Sequence, residues 1–242
     1  MHIAIRHEAD LLTLALHQPA FGRLVGLDVA PMAHRRWVRR GGAATGRDMH
    51  ILHVAFIGKS GYGKSSLINA IVGRDVLETS AIEACTQDAQ NACFRIAGDQ
   101  FLSFADVPGI GESTERDSQY LALYDELVAA SDVVVHVLRA DCRDYAIDLA
   151  AFERLFPRRA DRRKVILALN GCDKIEPLSR KRESGPSEAQ LRQVQEKLAL
   201  LGQMFPGVRQ IVPCCATPAW NLASLTHALA ELLAQAPGVQ RR

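Results

Sequence analysis

No run of about 18 or more apolar residues occurs anywhere in the chain, so nothing in it reads as a membrane-spanning helix. A secretory leader is not expected either, because Arg6, His7, Glu8 and Asp10 stand where such a leader needs an apolar core. A cytoplasmic protein is the expectation, with peripheral membrane contact left open. Charge of one sign is in short supply: 29 lysines and arginines face 27 aspartates and glutamates, leaving a net charge of +2. That balance excludes a strong general pull toward nucleic acid or anionic lipid. The six cysteines (Cys85, Cys93, Cys142, Cys172, Cys214 and Cys215) include no C-x-x-C pair and no flanking histidine cluster. Neither a zinc site nor a small disulfide framework is suggested, and reduced thiols are the simpler reading. Internal repeats and low-complexity tracts are absent too.

What is present is ordinary globular material, with 48% hydrophobic and 23% charged residues over 242 positions. Such a chain has room for one α/β domain of about 160 to 190 residues plus an extension. Residues 1–49 are that extension, partly helical or linker, with an apolar patch over Leu11–Leu16 and a basic stretch through Arg35, Arg36, Arg39, Arg40 and Gly41-Gly42. An RNA or lipid contact is one reading of the basic stretch; a solvated linker is the simpler one. Residues 50–236 read as the domain and 237–242 as a tail.

The domain opens on Ile51, Leu52, Val54, Ala55, Phe56 and Ile57, a nearly continuous apolar run of the kind a strand buried on both faces requires. A helix follows over Ser65–Val72, and further strands are expected at Ala92–Ile96, Phe101–Asp106, Val133–Leu138, Lys164–Leu169 and Gln210–Pro213. Helices are expected over Ser118–Ala130, Tyr145–Leu155, Ser187–Met204 and Leu222–Ala234. This alternation predicts a three-layer α/β fold around a mostly parallel six-stranded sheet. One antiparallel edge strand is expected, because only Ala97-Gly98-Asp99-Gln100 separates two neighbouring strands and no helical crossover fits there.

Three motifs carry chemistry. Gly58-Lys59-Ser60-Gly61-Tyr62-Gly63-Lys64-Ser65 matches G-x-x-x-x-G-K-[ST] between a predicted strand and a predicted helix. Its glycines let backbone N–H groups curl around a phosphate, Lys64 supplies a compact charge, and Ser65 can place its hydroxyl on Mg²⁺. Asp106-Val107-Pro108-Gly109 ends a strand, so Asp106 is a second metal candidate at the carboxyl edge of the sheet, and Gly109 would bring its amide to a terminal phosphate. Asn170-Gly171-Cys172-Asp173 follows another strand, and a carboxylate there can accept both N1–H and N2–H of guanine. Adenine offers no such pair of donors, so Asp173 points to GTP over ATP.

With these motifs in view, the chain resembles small bacterial GTPases of the Era and TrmE branch of the TRAFAC class of P-loop GTPases, in particular the YfjP-like members. The resemblance covers about residues 50–235. It implies that Thr86 is the switch threonine that reaches Mg²⁺ and the terminal phosphate, that Ser66 belongs to the phosphate-binding set, and that Cys215-Ala216 forms the last guanine loop, with the Ala216 N–H toward the base. Gly171 departs from this pattern, since the family usually carries a lysine there whose stem covers the base; Lys174 is the nearby candidate to compensate. Ile110 stands where Ras-type enzymes carry a water-orienting glutamine, so slow intrinsic turnover is expected, with Gln87, Asp88 or a partner supplying the missing group. Gly61 occupies the position of an asparagine in potassium-stimulated relatives, so no potassium stimulation is expected.

The leading expectation is a Mg²⁺-dependent GTP-binding switch that hydrolyses GTP slowly to GDP and phosphate. The candidate catalytic residues are Lys64, Thr86 and Gly109, the metal ligands Ser65, Thr86 and Asp106, and the nucleotide contacts residues 58–66, Asn170, Asp173, Lys174, Cys215 and Ala216. The alternative is a non-hydrolysing GTP-binding interaction module that recruits a partner around Gly111–Asp117. An ATPase or kinase is a third and weaker reading, because no lid or monophosphate domain is evident. An unidentified protein effector or activator is implied, and dimerisation through the switch region is allowed by the resemblance. RNA binding by Arg158, Arg159, Arg162, Arg163 and Lys164 competes with the simpler reading of a solvated helix end.

Overall fold

The computed structural model describes residues 27–29, 50–73, 75–77, 90–97, 100–109, 124–178, 184–235 and 239–241. In chain order its elements are β1 (Leu27–Val29), β2 (His50–Ile57), α1 (Lys64–Val72), β3 (Gln90–Ala97), β4 (Gln100–Asp106), β5 (Val133–Arg139), α2 (Ala146–Leu155), α3 (Arg159–Arg162), β6 (Val165–Asn170), a 3₁₀ turn (Cys172–Lys174), α4 (Glu188–Met204), β7 (Gln210–Cys214), α5 (Leu222–Leu233) and β8 (Val239–Arg241). Residues 124–130 are helical as well, within the helix expected from Ser118 onward.

Five strands run parallel in the order β4-β2-β5-β6-β7, and β3 lies antiparallel beside β4. The all-buried apolar stretch of β6 and the nearly all-buried one of β5 are what the centre of such a sheet demands, because helices cover both of its faces. α5 packs against β5, β6, β7 and α1. On β5, His136 instead lies against Phe152 of α2 and Phe205 at the end of α4, which places those two helices together on one face. A capping box fixes the start of α4, where Ser187 accepts from the Gln190 N–H and Gln190 Oε1 accepts from the Ser187 N–H.

Two features lie beyond the expectations from sequence. β1, inside the extension, pairs antiparallel with β8 in the tail, Leu27 opposite Arg241 and Val29 opposite Val239. α3 and the 3₁₀ turn are too short to leave a periodic signature. The basic run around α3 is largely occupied by structural work. Arg158 pairs with Asp161, and Arg162 donates to the Phe156 and Pro206 carbonyls while lying over the Phe152 ring. Lys164 donates to the carbonyls of Val128 and Ser131. These contacts favour the helix-end reading of the run.

Candidate functional site

The loop between β2 and α1 curls because three of its glycines hold positive φ: Gly58 at 137°, Gly61 at 73° and Gly63 at 82°. Gly63 caps α1 in the left-handed conformation, and a Cβ there would come within 2.7 Å of Asn170 Nδ2. The loop therefore needs glycine at 63 for both backbone and space. Lys64, 7% exposed, reaches back across the curl and donates to the carbonyls of Gly58 at 3.2 Å and Lys59 at 3.3 Å. Its ammonium is thus held over the loop by two carbonyl acceptors.

At the adjoining strand end, Ser65 Oγ donates to Asp106 Oδ2. β4 lies next to β2 in parallel register, with Phe56 opposite Asp106, and this pairing delivers the carboxylate to the first turn of α1. A hydroxyl and a carboxylate oxygen side by side are hard donors of the kind Mg²⁺ takes. Gly109 packs onto the same loop, where a Cβ would meet Ser60 N at 2.2 Å. Only glycine allows that approach.

Asn170 closes the arrangement. Its buried amide donates from Nδ2 to the Tyr62 carbonyl at 3.0 Å and accepts at Oδ1 from the Ala216 N–H at 2.9 Å. One side chain thereby ties the loop after β2 to the loop after β7, across the end of β6. Between them opens a cleft of about 100 Å³, with Gly61, Tyr62 and Gly63 on one side and Gly171, Lys174, Ala216 and Thr217 on the other. It sits outside the carboxyl ends of parallel strands, where open α/β sheets take ligands.

A 50S ribosome-binding GTPase family model matches residues 53–171, the stretch that contains the curled loop, Asp106 and Asn170. The domain belongs to the small P-loop GTPases. Two Escherichia coli (strain K12) proteins, YkfA and YfjP, are each 32% identical to it over 74% of this chain. The chain spans 61% of the length of each of these relatives. Among solved structures, Era from Aquifex aeolicus bound to GDP.AlF4- superposes with a TM-score of 0.58 at 22% identity, covering 76% of this chain and 57% of that one. The last likeness speaks to the fold.

Within this GTPase domain, most of the expected residues meet at one sheet edge. Gly58 to Ser66, Asp106, Gly109, Asn170, Lys174 and Ala216 surround the curl and the cleft. Asp173 stands differently, beside the cleft wall with its carboxylate toward the Cys215 thiol, and its Oδ1 is buried without a hydrogen-bond partner. The Ala216 N–H, expected to face a base, is engaged by Asn170 Oδ1, because a buried amide must satisfy both of its ends. Thr86, Gln87, Asp88, Ile110 and Gly111–Asp117 lie outside the described residues.

Several supporting residues escaped sequence reasoning. Tyr124, fully buried, donates to the Pro108 carbonyl at 2.7 Å and accepts from the Gly58 N–H at 3.4 Å, with the Gly58 carbonyl 3.3 Å from the same hydroxyl. It joins the phosphate loop to the Asp106–Gly109 turn from a helix that periodicity alone marks as apolar. Tyr62 sends its hydroxyl under the loop to Asp148 Oδ2 of α2 at 3.2 Å and to Cys142 Sγ at 3.3 Å, and burial, followed by these partners, pushes its pKa up. Gln190 of α4 donates to the carbonyls of Asp173 at 2.6 Å and Ile175 at 2.8 Å, pinning the turn that holds Asp173. The capping signature Ser-x-x-Gln was the one available hint of that residue. Burial also pushes the Cys172 and Cys215 thiols up to about 12 and raises Cys214 well above the ordinary thiol value.

Proposed function

We propose that the chain is a Mg²⁺-dependent GTP-binding protein that hydrolyses GTP slowly and acts as a molecular switch. The observation that carries the reading is the Asn170 bridge, which sets the phosphate loop and the guanine-side loops around one cleft at a fixed spacing. In this assignment the N–H groups of residues 58–66 cradle the phosphates and Lys64 neutralises their charge. Ser65 and Asp106 hold Mg²⁺, with Thr86 as a further ligand, and the metal polarises the terminal phosphate when bound. Gly109 offers its amide to that phosphate from a position already against Ser60. Asp173, whose Oδ1 has no hydrogen-bond partner, would accept guanine N1–H and N2–H once its carboxylate turns from the Cys215 thiol toward the cleft. Catalysis in this scheme is positioning and electrostatic stabilisation.

Nucleotide affinities test the reading. The wild type should bind GDP and GTP with Mg²⁺ and prefer guanine over adenine by about 100-fold or more. Asp173→Asn should abolish that preference and admit xanthosine nucleotides. Equal binding of ATP and GTP, indifferent to Asp173→Asn, would refute the guanine assignment.

A second reading keeps the nucleotide and drops the turnover: a GTP-binding interaction module. Ile110 favours it, since an aliphatic side chain neither orients nor deprotonates water. Single-turnover kinetics separate the two, because a module would hold bound GTP intact for many hours with Mg²⁺ present. A protein effector, RNA and nucleotide-dependent dimerisation are candidate partners of the switch, to be sought by capture in the GTP-like and GDP states.

A further inference from the structure

The cleft has an unusual wall. At Gly171 the backbone takes a φ of 74° and carries no side chain, so residue 171 presents bare peptide. That conformation starts the Cys172–Lys174 turn, whose Lys174 N–H donates to the Gly171 carbonyl at 2.9 Å. The turn folds the Lys174 side chain back: its Cδ and Cγ lie 3.5 Å and 3.9 Å from where a Cβ on residue 171 would be. An aliphatic stem therefore covers the ground that a side chain at 171 would have covered.

A second long cation enters the cleft from the neighbouring strand. Arg139 ends β5 opposite Asn170 and lines the same space. Its Nε donates to Asp141 Oδ1 at 2.8 Å and its Nη2 to Asp141 Oδ2, a two-point pairing that orients the guanidinium plane. The loop beneath is clamped in turn, since Tyr145 Oη donates to the Arg139 carbonyl at 2.6 Å and Lys197 donates to the carbonyls of Ala140 and Cys142. Asp141 feels both cations: its carboxyl is held below the ordinary value first by the Arg139 hydrogen bonds and also by Lys174. Arg139, paired with Asp141, and Lys174 thus both line the one cleft.

The geometry points to Lys174 and Arg139 as the surfaces that cover the purine base, doing together what residue 171 does not. This rests on the proposed nucleotide reading and extends it from the phosphates and the base edge to the base faces. A purine is a flat, polarisable ring whose faces need apolar or cationic cover once its edge is bound. A lysine stem supplies apolar contact while its ammonium stays in water. A guanidinium held in its plane stacks on aromatic rings. Asp141 is the positioning residue that holds the Arg139 guanidinium in its plane.

Calorimetry with Mg²⁺ tests this, using GDP and inorganic tripolyphosphate as separate ligands. Lys174→Ala and Arg139→Ala should each weaken GDP by about 2- to 30-fold and leave tripolyphosphate within about 2-fold of wild type. Lys174→Met keeps the stem without the charge and should retain most of the GDP affinity. Both side chains reach solvent, and unchanged thermal melting of the variants confirms intact folding. Unchanged GDP affinity in both alanine variants would overturn the inference, as would an equal loss for tripolyphosphate, which would assign the cations to phosphate. A wild type that binds tripolyphosphate and not GDP would instead overturn the guanine reading on which the inference stands.

Discussion

Tyr124→Phe isolates one atom of the scaffold that joins the loop after β2 to the Asp106–Gly109 turn. The ring is fully buried and stays packed after the change, so no cavity term enters; only the hydroxyl is lost. That hydroxyl makes one short bond, to the Pro108 carbonyl at 2.7 Å, and has Gly58 N and O near the outer limit at 3.4 and 3.3 Å. The short bond decides the magnitude. Pro108 is buried, so its carbonyl is left without that donor, at a cost of about 1 to 3 kcal/mol. With a urea dependence of about 2 kcal/mol per molar, the unfolding midpoint should fall by about 0.5 to 1.5 M. Tryptophan fluorescence follows the transition, as Trp220 sits against the loop after β7 in a bridge with Cys215. The same variant should bind nucleotide more weakly, because Gly58 and the Asp106–Gly109 turn lose their common tether. A midpoint within about 0.2 M of wild type would refute the reasoning, showing that the carbonyl finds another donor at no cost.

Asn170→Ala removes both arms of the bridge and should destabilise the domain by about 2 kcal/mol or more, with a larger loss of nucleotide affinity than Tyr124→Phe, read by urea titration and calorimetry. Ser65→Ala should lower the unfolding midpoint even without Mg²⁺, because it takes a donor from the buried Asp106 carboxylate, and should abolish the part of GTP affinity that Mg²⁺ adds, measured by titration with and without EDTA. Of Cys142, Cys172, Cys214 and Cys215, only the half-buried Cys142 should react with a maleimide at pH 8, as site-resolved mass spectrometry would report. The buried thiols also set an alkaline limit. Cys172 and Cys215 have folded pKa values raised from 9.0 to about 12, so their contribution to stability is fully present below pH 9.0 and is lost as pH rises toward 12. Replacing either by alanine or serine should flatten the stability profile over that window; an unchanged slope would contradict the burial argument.

The chemistry of the phosphate loop was legible in the one-dimensional chain because it is local. Eight consecutive residues make the curl, and the requirement for glycine at Gly63 follows from a backbone angle that other residues resist. The main strands and helices were legible for a similar reason, since burial on both faces of β5 and β6 forces long apolar runs that no surface segment needs. Tyr124, Gln190 and Asp148 were illegible: each acts through a partner 15 or more residues away in sequence, and nothing in its immediate neighbours records that partner.

Sequence alone therefore determined which groups are the candidates for phosphate, metal and base, and the strand-by-strand order in which they arrive. Only the folded sheet decided which of them meet. Parallel pairing of β4 with β2 puts Asp106 beside Ser65, and pairing of β5 with β6 puts Arg139 beside Asn170, contacts that exist because adjacent strands end at one edge. The wall at Gly171 shows the division most plainly. A glycine there reads in sequence as a missing side chain, while in three dimensions the turn that glycine permits brings the Lys174 stem across the same space.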